Sequence, residues 1–129
     1  MRRKIFFVLT LVATIFFLSF AFKKKALKVY LIGDSTVADY SLEKDFQTKR
    51  YPLAGWGQVF QPLLSADSLK NIRRLIKSDS AVVDDRAKGG RSTRTFFEEG
   101  RWSEVYKSLK RNDVVMMQFG HNDAAVDKT

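Results

Sequence analysis

Three hydrophobic runs of strand length, each leading into a glycine-containing polar motif, constrain this chain to a parallel α/β arrangement. Lys28-Val29-Tyr30-Leu31-Ile32 runs into Gly33-Asp34-Ser35-Thr36. Ala81-Val82-Val83 runs, through Asp84 to Lys88, into Gly89-Gly90-Arg91-Ser92. Asp113-Val114-Val115-Met116-Met117-Gln118-Phe119 runs into Gly120-His121-Asn122-Asp123. Short runs rich in β-branched and aromatic residues, ended by glycine, read as buried strands. Between them the spacing becomes helical. Trp56, Val59, Phe60, Leu63 and Leu64 mark one helical face, with Pro62 expected to kink or end it. Ser65 to Ser80 is ambiguous; Leu69, Ile72 and Ile76 would face inward from a helix. Thr95-Phe96-Phe97-Glu98 fits a capping box, and Trp102, Val105, Tyr106 and Leu109 mark a further helical face. Asp39 to Arg50, polar and without period, is expected to be a loop. Strands alternating with helices predict βαβ units. Ligands of such sheets bind outside the carboxyl ends of the strands, so the three motifs should meet on one edge.

The N-terminus has a different character. Met1-Arg2-Arg3-Lys4 is positive, and Ile5 to Phe22 is apolar apart from Thr10, Thr14 and Ser19. Ser19 and Ala21 place small residues where a signal peptidase reads, so residues 1–21 are expected to be a signal peptide cleaved after Ala21. The alternative is a retained signal anchor, since the run approaches the length that spans a bilayer, followed at once by Lys23, Lys24 and Lys25. Either reading places residues 22–129 outside the cytoplasm: periplasmic, extracellular or membrane-anchored. A membrane partner is expected only if the segment is retained.

At 129 residues the chain has room for one domain, and it is short for a doubly wound domain, more often about 150–200 residues. The absence of cysteine excludes disulfides, thiol catalysis and a lipoprotein attachment cysteine. The net charge of +9 favours acidic partners such as an acidic polysaccharide. No helix-turn-helix, zinc-finger or RNA-binding signature accompanies it, so nucleic acid is not an expected partner.

The motifs carry acyl-transfer chemistry. Ser35 sits where a tight turn leaves a strand; a serine there is a nucleophile once a base takes its proton. Gly90 can bring a bare backbone N–H to a ligand, and Asn122 can donate a side-chain N–H. With the Ser35 N–H they form a three-donor oxyanion hole, each donor being worth roughly 3–4 kcal/mol to a tetrahedral intermediate. Taken singly, each motif is equally a capped turn or a loop; in order, at three strand ends, they point to a site. Asp34 and Asp123 read as loop-ordering carboxylates. Arg91 and Arg94 could bind uronate carboxylates or fix the surface. Trp56 and Trp102, on helical faces, read as core.

Gly33-Asp34-Ser35-Thr36, Gly90 within the run from Lys88 to Phe96, and Gly120-His121-Asn122-Asp123 resemble the first three blocks of the SGNH/GDSL hydrolases. Ala54-Gly55-Trp56-Gly57-Gln58 and Gln118-Phe119 narrow the likeness to the rhamnogalacturonan acetylesterase-like branch. The resemblance covers Lys28 to Asp123. It implies a flavodoxin-like parallel sheet with flanking helices, Ser35 as nucleophile, and Ser35, Gly90 and Asn122 as oxyanion donors. It implies a serine esterase that removes acetyl groups from an acetylated polysaccharide such as pectin, without metal or organic cofactor. It also implies a fourth block, Asp-x-x-His, supplying the catalytic His and Asp. Nothing in these residues matches that block, and the one histidine, His121, belongs to the third. Residues 22–129 are therefore expected to be the N-terminal part of a hydrolase domain, truncated at the C-terminus and inactive alone. A non-catalytic carbohydrate-binding module, secreted or membrane-tethered, is the alternative. Asp85 stands where the branch often has Asn.

Overall fold

Alternation along one short strand sorts the hydrophobic residues onto two faces. The computed structural model describes residues 26–124, so the expected export segment, residues 1–21, lies outside the described residues. Strand β1, Leu27–Gly33, is the middle of a three-stranded parallel sheet between β2, Ala81–Asp85, and β3, Val114–Gln118. Register pairs Leu27 with Ala81 at one end and Gly33 with Gln118 at the other. Val29 and Leu31 pack with Val37, Leu69 and Ile76 on one face. Tyr30 and Ile32 pack with Phe96 and Val105 on the opposite face. A parallel strand covered on both faces must be apolar nearly throughout. Lys28 is the exception, and its ammonium reaches out to Asp84 at 2.7 Å.

Helix α1, Ala66–Asn71, supplies Leu69 to the first face. Helices α2, Thr93–Glu98, and α3, Arg101–Ser108, supply Phe96 and Val105 to the second. Strand order explains this division. The β1–β2 connection moves to one side of β1, and the β2–β3 connection returns past it to the other. Crossovers of one hand can do both only with their helices on opposite faces. This is the doubly wound, flavodoxin-like arrangement. Among the described residues no helix is long and apolar enough to cross a membrane.

Local departures from the expected helices have local causes. The Trp56 segment forms two tight turns, Trp56–Val59 and Gln61–Leu63, in place of one helix. Gly55, Trp56 and Gly57 donate their amides to Ala38, Thr36 and Val37, which ties the segment to the turn after β1, and Pro62 has no N–H to continue a ladder. Val59 and Leu63 are consequently 64% and 60% exposed. Helix α1 ends at Asn71, so Leu69 and Ile76 point inward while Ile72 does not. Helix α2 is capped by Ser92, one turn earlier than expected: the Ser92 hydroxyl accepts from the Thr95 amide, and the Thr95 hydroxyl accepts from the Ser92 amide. Tyr106 of α3 is exposed, leaving Trp102, Val105 and Leu109 as its inward set. The stretch expected as a loop contains two single turns, Tyr40–Leu42 and Phe46–Arg50.

Gly33 sets how closely these parts approach. A Cβ there would meet the carbonyl oxygen of Gln118 and Cγ2 of Val37, so any larger residue forces β3 or the following turn away. Gly33→Ala is expected to destabilise the chain by about 1–3 kcal/mol, the usual cost of overpacking, read as a lower urea midpoint. An unchanged midpoint would show that the two strands are not in this register.

Candidate active site at the carboxyl ends of the strands

After Gly33 the chain folds back on itself. Val37 and Ala38 donate their amides to the Asp34 carbonyl, at 3.2 and 3.1 Å. The Asp34 carboxylate is 1% exposed. One of its oxygens accepts from both the amide and the hydroxyl of Thr36, at 2.9 and 2.8 Å. The aspartate thus closes the turn from inside and leaves Ser35 at its apex, half-buried. Among the described residues neither the Ser35 hydroxyl nor its amide has a hydrogen-bond partner.

The second motif is laid along the same strand end. Arg86 donates its amide to Leu31 at 2.8 Å, and Lys88 donates to Gly33 at 3.0 Å. The chain then turns at Gly90, whose φ of 78° lies in the left-handed region. The Gly90 amide likewise has no partner among the described residues. Open space surrounds the position of a missing Cβ.

The third motif is fastened to the second. The Asn122 side-chain nitrogen donates to the Arg91 carbonyl at 3.2 Å, one residue beyond Gly90. A side-chain amide carries two hydrogens, so one remains. Asp123 accepts the Thr93 amide at 2.7 Å, and Phe119 stacks edge-on against Phe96 at 5.3 Å. Gln118 joins the third motif to the first: its side-chain nitrogen donates to the Thr36 hydroxyl at 2.9 Å, and its oxygen accepts from the Trp56 indole at 2.8 Å. Trp56 is therefore not only a core residue; it packs against the first face and also orients Gln118.

All three expected site residues thus lie on loops bonded to one another at one sheet edge. Beside Gly90, a cavity of about 290 Å³ is lined by Tyr40, Glu43, Arg50, Lys88 and Arg91. Lys88 and Arg50 both bond Glu43, at 2.7 and 3.1 Å, and the Lys88 ammonium holds the Glu43 carboxyl below its ordinary range. Arg91 is engaged with Glu99 at 3.1 Å and with the Gly89 carbonyl at 3.0 Å, whereas Arg94 reaches Glu98 only at 3.9 Å. His121 stands exposed in the third-motif turn. Among the described residues no group of three or more His, Cys, Asp or Glu is arranged to hold a metal ion.

Comparison with known proteins gives one answer. The chain is 39% identical to rhamnogalacturonan acetylesterase RhgT of Bacillus subtilis over 100 residues, 78% of this chain and 35% of RhgT. It is 33% identical to the rhamnogalacturonan acetylesterase of Emericella nidulans over 95 residues, 74% of this chain and 28% of that protein. The solved structure of YxiM from B. subtilis matches with a TM-score of 0.53 at 29% identity, covering 77% of this chain and 23% of YxiM. The matched segment belongs to the SGNH hydrolases. Its relatives include rhamnogalacturonan acetylesterases, and the chain spans about a third of the length of those it matches. No family model matches the chain.

In this SGNH segment the second motif is held by two aspartates of opposite character. Asp84 bonds Arg86 and Lys28, which hold its carboxyl below the ordinary value of 3.8. Asp85 accepts the Ala87 and Asp39 amides at 2.8 and 2.9 Å, and burial pushes its carboxyl above 3.8. Each of its two oxygens serves one donor, the Ala87 amide on one and the Asp39 amide on the other. This tie was not visible in the sequence, because Asp39 lies far from Asp85 along the chain. The two shifts act on stability with opposite sign. Asp84, lowered, contributes stability that is present above 3.8 and lost as pH falls through its folded value. Asp85, raised, contributes stability that is full below 3.8 and lost as pH rises through its folded value. Carboxyl-detected NMR titration should place the Asp84 midpoint below 3.8 and the Asp85 midpoint above it; the reverse order would contradict this packing.

Proposed function

We propose that this chain supplies the nucleophile and the oxyanion hole of a carbohydrate acetylesterase acting on a pectin-type polysaccharide such as acetylated rhamnogalacturonan. One observation carries the reading: the backbone amides of Ser35 and Gly90 have no partner among the described residues, on loops bonded to one another at one sheet edge, and the Asn122 side-chain amide is fastened one residue beyond Gly90. Unpartnered donors on the same sheet edge as a serine hydroxyl suit an oxygen that becomes negative during reaction. The Ser35 hydroxyl adds to the acetyl carbonyl carbon, and the three donors hold the resulting oxyanion. The carbon–oxygen bond to the sugar breaks, the sugar leaves as an alcohol, and water then releases acetate from the acetyl-serine.

The serine proton needs an acceptor. The SGNH resemblance assigns that role to a His of an Asp-x-x-His block, which is not found in these 129 residues. His121 belongs instead to the turn that carries Asn122. Arg94, loosely paired and exposed, is free to meet a uronate carboxylate of the polymer, while Arg91 braces the Gly89–Gly90 turn.

Acetate release from acetylated rhamnogalacturonan, with imidazole added as a diffusible base, tests the reading. The imidazole-dependent release should vanish in Ser35→Ala. It should fall by about 10²–10³ in Asn122→Ala, the usual loss for one oxyanion donor. Release that is equal in wild type and Ser35→Ala would reject the assignment, and polysaccharide binding without release would favour a carbohydrate-binding module.

A further inference from the structure

The largest cavity among those described lies at the end of the sheet opposite Ser35. It measures about 530 Å³ and surrounds the amino ends of β1 and β3. Lys28, Lys77, Lys107, Lys110 and Arg111 line it. Lys28 is satisfied by Asp84. The other four have no carboxylate partner among the described residues, a condition shared elsewhere only by Lys44 and Arg74. Asp113 is the one acid in the lining, and its two oxygens already accept the Lys28 and Lys110 amides at 2.9 Å. Most other lysines and arginines among the described residues meet carboxylates; here four cations without one are gathered round a concavity. Such a group of like charges attracts an anion from outside.

We infer that this cavity is a seat for the phosphate headgroups of anionic phospholipid, so that the sheet stands on a membrane with its Ser35 edge pointing away. The inference rests on the retained-anchor reading of the N-terminal segment. Ala26, which lines the cavity, is four residues from Phe22, the end of the apolar run, and Lys23 to Lys25 lie between. Four residues reach at most about 14 Å, close to the distance of about 10 Å over which surface charge acts at ordinary ionic strength. A chain leaving a bilayer at Phe22 therefore brings the cavity to the headgroup layer. An extended polyuronate, which would need to reach Ser35 from the opposite end of the sheet, has no such tether. The shared chemistry is an oxyanion in a cationic pocket; the position favours the lipid.

The full chain can be tested in vesicles of phosphatidylcholine alone and of phosphatidylcholine with one quarter phosphatidylglycerol. Flotation with both kinds reports the anchor, and hydrogen exchange reports the cavity. Exchange at Lys77–Ser78 and Lys107–Asn112 should be at least about fivefold slower on the anionic vesicles, the effect of a single basic residue at a charged membrane. The slowing should disappear in high salt and in the variant K77Q/K107Q/K110Q/R111Q, all at exposed positions. Flotation with equal exchange on both lipids would overturn the headgroup seat while the anchor reading stands. Failure to float with phosphatidylcholine would remove the anchor reading and the seat with it. Equal protection by inorganic phosphate, or by polygalacturonate without vesicles, would overturn the lipid assignment.

Discussion

The carbonyl oxygen of Gln118 and the side chain of Val37 occupy the space where residue 33 would carry a Cβ. That close approach organises the carboxyl end of the sheet. It lets β3 pair with β1 to the last residue, and it lets the chain after Gly33 fold back beneath its own strand. With the first turn pressed against the third strand, Gln118 can reach Thr36, and Trp56 can reach Gln118. A larger residue at 33 would separate Ser35 from the elements that carry Gly90 and Asn122.

Carboxylates complete what the glycine permits. Asp34 closes the first loop on Thr36, Asp85 ties the second to Asp39, and Asp123 pins the third to Thr93. Each takes up backbone N–H groups that would otherwise face water or a ligand. Charge-assisted bonds of this kind are short and directional, so the loops are fixed rather than merely adjacent. The amides of Ser35 and Gly90 are left without partners among the described residues. An oxyanion hole is effective because its donors are oriented before charge develops.

Much of this was legible in the chain. The two-face burial of β1 follows from its apolar run from Val29 to Ile32, and the positions of Ser35, Gly90 and Asn122 follow from motifs that leave strand ends. What could not be read were ties between distant residues. The Gln118–Thr36 bond spans 82 residues and the Asp85–Asp39 bond 46. No local period reports such contacts. The Trp56 segment misleads for the same reason: its helical spacing is intact, but its amides are claimed by the turn after β1. The helix cap was displaced because Ser92 and Thr95 satisfy each other, a reciprocal pair that competes directly with the Thr95–Glu98 pattern.

The most direct test is to titrate the ¹⁵N-labelled chain with acetate, the reaction product, and follow the Ser35 and Gly90 amides and the Asn122 side-chain amide. The account predicts that all three move together along one saturation curve, since one carboxylate oxygen meets all three donors, and that Gly33→Ala uncouples them. Movement of these signals along separate curves, or their indifference to acetate, would show that the three strand ends do not form a common site.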